Sequence, residues 1–155
     1  MSAQPPIDLL FLWHHHQPDY RSPREGRALL PWVRLHATKD YLDMALHLEA
    51  HPGVHATFNF VPSLLDQLDE AVAGGRECLF DLLAKPVEGL NEAERATVLS
   101  RCVAAPRHAL ERWPRYRALS LRVERSRGTG VNEPTAAEVL ALECWFLLAW
   151  LDPLL

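Results

Sequence analysis

The apolar positions near the start of the chain form an almost unbroken run. Residues 7–13 have the sequence IDLLFLW, in which Asp8 is the one polar residue. Such a run is typical of a parallel strand that is covered on both faces. Residues 54–60, VHATFNF, are rich in β-branched and aromatic side chains and predict a second strand.

The segment between these two runs has helical spacing. Asp40 and Asp43 alternate with apolar residues that recur at helical intervals: Leu35, Tyr41, Met44, Ala45 and Leu48. The HPG sequence at residues 51–53 predicts the end of this helix, and the prolines of residues 18–31 predict a loop before it. Strand, helix and strand together predict a βαβ unit over residues 7–62 with a right-handed crossover.

Residues 63–155 are predicted to be mostly helical. Two helices begin with capping boxes, in which Asn91 is followed by Glu94 and Thr135 by Glu138. The expected helices lie at residues 64–73, 76–84, 92–105, 108–113 and 136–151.

The turns around these helices also have sequence signals. Ser63 is the expected cap of the helix at residues 64–73, and Gly74 and Gly75 are expected to end it. The polar, glycine-containing stretch at residues 125–134 predicts a loop.

Two features indicate a portion of a larger fold. A two-stranded parallel sheet is a poor free-standing core, because parallel strands are normally found in multi-stranded sheets covered by helices. The helix at residues 136–151 is apolar nearly all round, which leaves Trp145 and Trp150 with faces that no other residue is expected to cover. The chain is therefore expected to expose apolar surface and to associate or dissolve poorly.

The composition indicates a globular chain. A length of 155 residues suits one domain, and 48% hydrophobic residues with 23% charged residues exclude a disordered chain. The formal net charge of −4 gives no overall attraction to nucleic acid or to an anionic membrane. Residues 101–127 contain eight arginines and two glutamates, and a solvated helical face with loops is the expected explanation.

The cysteines and the apolar segments indicate the cellular compartment of the protein. Cys78, Cys102 and Cys144 are widely spaced and odd in number, which predicts free, mostly buried thiols in a reducing compartment. The N-terminus has no positively charged region typical of a signal peptide. Residues 139–151 are shorter than the ~20 residues that a membrane span requires. We expect a cytoplasmic protein with no membrane or nucleic-acid partner.

Three consecutive histidines follow the first predicted strand. Side chains alternate between the faces of a strand, so His14 and His16 are expected on one face and His15 on the other, with Asn59 beside the pair at the end of the second strand. Neutral imidazole offers one hydrogen-bond donor and one acceptor. The spacing alone allows polar packing at the strand end, a metal ion or a bound substrate.

The surrounding residues resemble a known family. The WHHHQP sequence at residues 13–18 resembles the first signature region of glycoside hydrolase family 57, whose core is His-any-His-Gln-Pro. Three further stretches are similar to parts of these enzymes: residues 30–41 (LPWVRLHATKDY), 57–65 (TFNFVPSLL) and 144–153 (CWFLLAWLDP).

The resemblance implies an α/β fold, here an N-terminal fragment of a (β/α)7 barrel with two parallel strands followed by a mostly helical region. It implies action on α-glucans, of the amylase, pullulanase, glucanotransferase or branching-enzyme type, with retention of configuration. His14 and His16 match substrate-binding positions, and Trp32 and Asn59 are further candidates for substrate binding. Trp13 and Trp32 offer stacking faces for sugar rings, although core packing is the commoner use of such aromatics. No cofactor is implied.

The resemblance covers the first of five signature regions. In a retaining mechanism a carboxylate nucleophile and an acid lie ~5–5.5 Å apart, and no Asp or Glu of this chain matches the family's motif for either. Glu49, Asp66, Glu111 and Glu143 are on predicted helices, where a solvated or paired carboxylate is expected. We therefore assign no catalytic residue, expect the chain alone to be inactive, and expect the rest of the barrel downstream or in a separate chain.

Two other functions fit the same residues. A metal-dependent hydrolase with a barrel would use His14 and His16 as zinc ligands, together with further ligands from later strands. In the second alternative the chain is not an enzyme by itself. It is a non-catalytic truncated product, or a subunit that docks onto a partner. The resemblance favours sugar over metal at the histidines, so we expect no tightly bound transition metal.

Overall fold

The computed structural model of the chain describes residues 7–127 and 131–151. The prediction about a signal peptide concerns the N-terminus, and residues 1–6 lie outside the described residues. The middle of the predicted loop at residues 125–134 also lies outside them, as do residues 152–155.

The described residues form four short strands and eight α-helices. The strands are β1 (Leu12–His15), β2 (Arg21–Ser22), β3 (Arg27–Ala28) and β4 (Thr57–Phe60). The helices are α1 (Trp32–His36), α2 (Leu42–Ala50), α3 (Pro62–Val72), α4 (Cys78–Leu83), α5 (Glu92–Cys102), α6 (Arg107–Arg112), α7 (Pro114–Ser126) and α8 (Ala136–Ala149). A π-helix (Ala37–Tyr41) joins α1 to α2, and a 3₁₀-helix (Val87–Gly89) precedes α5.

The two predicted main strands pair in parallel. The register of β1 and β4 runs from Leu12 opposite Thr57 to His15 opposite Phe60. Both strands begin later than the apolar pattern predicts. The expectation that the first run is covered on both faces is wrong, since Ile7 is 85% and Leu10 97% exposed. In the described part of the chain β1 has a hydrogen-bonded neighbour on one edge only, so little packs over its first residues.

The crossover between β1 and β4 is helical, as predicted, but it begins at Trp32 instead of Leu35 and includes the π-helix. The predicted loop at residues 18–31 contains a small antiparallel pair, β2 and β3. Gly26 lies in the turn of this pair with a φ of +60°, a conformation that glycine adopts without strain.

The start of α3 differs from the prediction. Val61, not Ser63, is the N-cap residue, because Pro62 fits the first helical position, where its missing N–H costs no hydrogen bond. The Ser63 hydroxyl instead donates to the backbone oxygen of Gln17 at 3.2 Å. Gly74 follows α3 with a φ of +85°, which agrees with the predicted helix end.

Both predicted capping boxes are present. Asn91 accepts from the backbone of Glu94 at the start of α5, and Thr135 accepts from the backbone of Glu138 at the start of α8. These two helices pack together around the core with α7. The sequence pattern did not predict the helix α7. The buried side chains at the centre are Val98, Cys102, Tyr116, Val123, Val139 and Leu142.

The expectation that Trp145 and Trp150 are uncovered is wrong. Trp145 packs on Trp113 and Tyr116 with ring centroids 5.7 and 6.1 Å away. Trp150 is buried, and its ring lies 5.9 Å from that of Trp32. The exposed apolar residues around α8 are smaller, namely Leu140, Leu147, Leu148 and Leu151.

The thiols are free, and they differ in exposure. Cys102 is buried, Cys78 is half-buried and Cys144 is exposed, so the prediction of mostly buried thiols is right for the first alone. Burial raises the pKa of the Cys102 thiol to about 12, which keeps it protonated.

The fold is mixed α/β, mostly helical, with two parallel strands in one sheet. Among the described residues, none of the helices combines the length and the apolar character needed to span a bilayer.

Candidate functional site

The C-terminal end of β1 presents two histidines on one face. The rings of His14 and His16 are stacked with centroids 5.8 Å apart and planes inclined by 24°. His14 is opposite Asn59 in the register of the sheet, and its Nδ1 lies 2.6 Å from the Asn59 Oδ1. All three side chains are exposed. The predicted arrangement of these residues is therefore present in the structure.

The hydrogen bond to Asn59 fixes the chemistry of His14. The Asn59 Oδ1 has no hydrogen, so His14 Nδ1 must donate in this contact. In the neutral ring Nε2 is then an acceptor. His14 can therefore accept from a ligand hydroxyl while Asn59 holds the ring.

His15 occupies the opposite face, as predicted. It is 3% exposed and packs against Tyr41 and Phe60, with ring centroids 4.7 and 4.6 Å away. Its Nε2 lies 3.1 Å from the Met44 sulfur. Burial, reinforced by the neighbouring charge of His14, lowers the pKa of His15 below its usual range. His15 thus anchors β1 to the crossover helix as a neutral side chain.

Two glutamines hold the loop that leaves β1. Gln17 donates through Nε2 to the Tyr41 hydroxyl at 3.1 Å and accepts at Oε1 from the Tyr20 hydroxyl at 2.8 Å. The buried Gln67 of α3 donates to the Pro18 backbone oxygen at 3.0 Å and accepts from the Tyr20 backbone at 2.9 Å. Sequence reasoning missed this network. Gln17 lies in the WHHHQP sequence, but Tyr41, which accepts its hydrogen bond, is 24 residues away in the chain.

Trp32 lies away from the histidine pair. Its ring is 6.2 Å from that of His36 and 5.9 Å from that of Trp150. His36 also contacts the carboxylate of Asp40 and the ring of Tyr41, which in turn stacks on His15. Ring contacts thus link Trp32 to the face of β1 opposite His14. Of the four predicted substrate-binding residues, the structure brings together His14, His16 and Asn59.

The π-helix follows α1 and ends at Tyr41, one of the rings in this second group of aromatic contacts, which joins Trp32, His36, Tyr41 and Trp150. Short π-helical turns inside α-helices often occur at functional sites. Thr38 lies in this π-helix, and its hydroxyl donates to the Trp150 backbone oxygen at 3.0 Å, which joins the crossover helix to the end of α8. Trp13, the other predicted stacking residue, is half-buried and lies edge-on to Phe58 at 5.1 Å.

The carboxylates singled out from the sequence have different environments. Glu49 and Asp66 are exposed, and Glu111 pairs with Arg107 at 2.7 Å. The expectation of a solvated or paired carboxylate is wrong for Glu143, which is 4% exposed with no hydrogen-bond partner for Oε1 among the described residues. Burial raises the pKa of Glu143, and the charge of Arg95 partly offsets this.

The described residues contain no cluster of three or more His, Cys, Asp or Glu side chains placed to hold a metal ion. Within residues 7–127 and 131–151, Asn59 contacts His14, and no His, Cys, Asp or Glu side chain forms a three-residue metal group with His14 and His16.

Comparison with known proteins decides the family. The sequence model of glycosyl hydrolase family 57 matches residues 10–155 of the chain. The chain belongs to glycosyl hydrolase family 57. As a member of family 57, the chain is glycoside hydrolase-like. The class of substrate that the family implies is a carbohydrate. No curated protein and no solved structure matches the chain.

Proposed function

We propose that this family 57 chain supplies the substrate-binding histidines of a retaining, α-glucan-active glycoside hydrolase or glucanotransferase of the amylase, pullulanase or branching-enzyme type. The observation that carries the proposal is the exposed pair of His14 and His16 beside Asn59. Paired hydrogen-bonding side chains on a rigid strand end suit a polyol ligand, because neighbouring hydroxyls of a sugar both donate and accept.

The pair gives orientation more than tight binding. A typical hydrogen bond contributes about 0.5–1.5 kcal/mol net, so two imidazoles provide a modest affinity. His14 is already oriented by Asn59, and His16 stacks on its ring. Because the two rings are held before the ligand arrives, less side-chain freedom is lost on binding.

We further propose that β1 and β4 are adjacent strands of a (β/α)7 barrel. They are parallel, a helical crossover joins them, and the histidines follow β1 at its carboxyl end, where barrels of this type place their chemistry. The exposed apolar residues at the start of β1 support a larger sheet in the complete domain.

The catalytic carboxylates of this proposal come from outside the 155 residues. Retaining cleavage requires a carboxylate nucleophile and a carboxylic acid on either side of one glycosidic bond. Among the described residues, no Asp or Glu forms a hydrogen bond or ion pair with His14, His16 or Asn59. The isolated chain is therefore expected to bind glucan without releasing reducing sugar.

Isothermal titration calorimetry with maltohexaose tests the proposal. The wild-type chain should bind, and His14→Ala and His16→Ala should each weaken binding by about two- to tenfold, the worth of one hydrogen bond. His108→Ala is the matched control, because His108 is an exposed histidine on α6. Equal affinity of the wild type and both site variants would show that the pair does not bind glucan.

A further inference from the structure

A concave surface between α1, α5 and α8 contains Trp32. It is an open cleft of about 290 Å³ lined by Trp32, Thr97, Ser100, Arg101 and Phe146, among others. Ligand pockets commonly have volumes of roughly 300–1,000 Å³. The volume of the cleft is therefore just below that range, and it suits one ring-sized ligand.

An aromatic wall borders the cleft. Trp32 is half-buried, and its contacts with Trp150 and His36 hold the ring in place. Phe146 is almost fully buried and adds an apolar floor. A fixed indole beside an apolar floor presents a large, rigid contact area at little cost in side-chain freedom. Such a surface fits the C–H face of a pyranose ring.

Polar side chains of α5 also line the cleft. The Thr97 hydroxyl donates to the Ala93 backbone oxygen at 2.8 Å, and the Ser100 hydroxyl donates to that of Thr97 at 2.9 Å. Because both hydrogens are committed, the two oxygens remain as acceptors. Arg101 has no carboxylate partner among the described residues, so its guanidinium remains as a donor.

We propose that this cleft is a second carbohydrate-binding site, which takes one neutral glucose unit of an α-glucan. The indole of Trp32 contacts the ring face, Thr97 and Ser100 accept from its hydroxyls, and Arg101 donates to them. The proposal rests on the proposed function for the choice of glucan. The cleft shares no residue with the pair of His14 and His16, and Trp32 links by ring contacts to the opposite face of β1. Each site can therefore be removed without touching the other.

Equilibrium dialysis of the full chain with radiolabelled maltotriose counts the two sites. The wild type should bind two molecules per chain at saturation. Arg101→Ala should weaken one site by about fivefold, the worth of its hydrogen bonds. Ala104→Phe, which places a large ring on an exposed position of the cleft wall, should abolish that site. Arg115→Ala is the matched control, an exposed arginine of α7 away from the cleft.

The outcomes separate the two proposals. If the wild type binds two molecules, and one of these sites is lost in Ala104→Phe but retained in His16→Ala, the result supports the cleft as a second binding site. A single wild-type site that His16→Ala removes and Ala104→Phe leaves unchanged overturns the cleft and leaves the histidine pair standing. A single site with the reverse behaviour supports the cleft and contradicts the histidine pair. Absence of any bound maltotriose overturns both.

Discussion

The three consecutive histidines have different environments, because the middle one is buried and its two neighbours are exposed. His14 and His16 are exposed side by side, whereas His15 is enclosed by aromatic rings and lies against the Met44 sulfur. The two-residue period of the strand is sufficient to produce this division. One face of β1 is therefore open to solvent at its carboxyl end, and the other is attached to the crossover helix.

The burial of His15 predicts a pH-dependent stability. Because burial lowers its pKa in the folded state, the unfolded chain binds more protons below the ordinary pKa of 6.5. The contribution of His15 to the free energy of unfolding is therefore complete above that pH and declines as the pH falls below it. Urea denaturation at pH 7 and pH 5 should show a smaller loss of stability for His15→Phe than for the wild type. An equal loss in both proteins would contradict this, and His108→Phe should behave like the wild type.

Glu143 predicts a gain in stability on neutralisation. Its pKa is raised by burial, so the contribution of the protonated form is present below the ordinary pKa of 4.5 and is lost as the pH rises through the folded-state pKa. Once ionised, the carboxylate is a buried charge with one oxygen unpartnered among the described residues. Glu143→Gln should raise the free energy of unfolding by about 1 kcal/mol at pH 7.5, and by less at pH 4.5.

The control for Glu143 is Glu111→Gln, which affects an exposed carboxylate paired with Arg107. Thermal denaturation should show a change within about 0.5 kcal/mol for this variant, as is usual for surface substitutions. A loss of stability in Glu143→Gln at pH 7.5 would show that the carboxylate has a partner that an amide cannot replace.

At the residue scale, the sequence was sufficient for the relations that strand geometry and the βαβ connection determine. The shared face of His14 and His16 follows from strand geometry, and so does their position beside Asn59. The separation of Trp32 from that group does not, because it depends on a contact with Trp150, the residue that follows the last helix. No local spacing encodes a contact between residues so far apart in the chain.

At the scale of the elements, capping chemistry was a better guide than apolar spacing. Both capping boxes mark the starts of α5 and α8 as predicted. The helix α7 was missed because two of its four buried positions, Ser120 and Ser126, are polar. A stripe of tyrosine, serine, valine and serine does not stand out as an apolar period, although tertiary packing buries it.

The capping box of α8 provides a test at this scale. Thr135→Ala removes the acceptor for the Glu138 backbone N–H and should lower the free energy of unfolding by about 1 kcal/mol. Thr97→Ala is the matched control, since Thr97 is an exposed mid-helix threonine of α5. Equal midpoints of chemical denaturation for both variants would show that the cap does not stabilise α8.

At the scale of the whole molecule, the parallel pairing of two strands was predictable and their coverage was not. The apolar run at residues 7–13 resembles that of a buried strand, but its first residues are exposed. A pattern of apolar residues shows what a strand is suited to pack against, whereas the partner itself is set by the rest of the fold. The helical half, by contrast, forms a core against which Trp145 of α8 and Trp150, the residue that follows α8, both pack.

The exposed run predicts self-association of the isolated chain. Contiguous apolar surface at Ile7, Leu9, Leu10 and Leu12 should bring copies together, because large exposed apolar patches drive association. Sedimentation velocity should show a concentration-dependent increase in size that Leu10→Lys reduces. Val72→Lys, at an exposed valine of α3, is the control and should leave the association unchanged. A wild-type chain that remains monomeric at all concentrations would contradict this expectation.

The central claim is that His14 and His16 contact an α-glucan while His15 does not. Nuclear magnetic resonance of the imidazole nitrogens tests it most directly, in a chain labelled with ¹⁵N at its eight histidines and titrated with maltohexaose. The His14 and His16 resonances should shift together along one binding curve, with those of His15 and His108 unchanged. Shifts confined to other histidines, or no shift at a saturating glucan concentration, would contradict it.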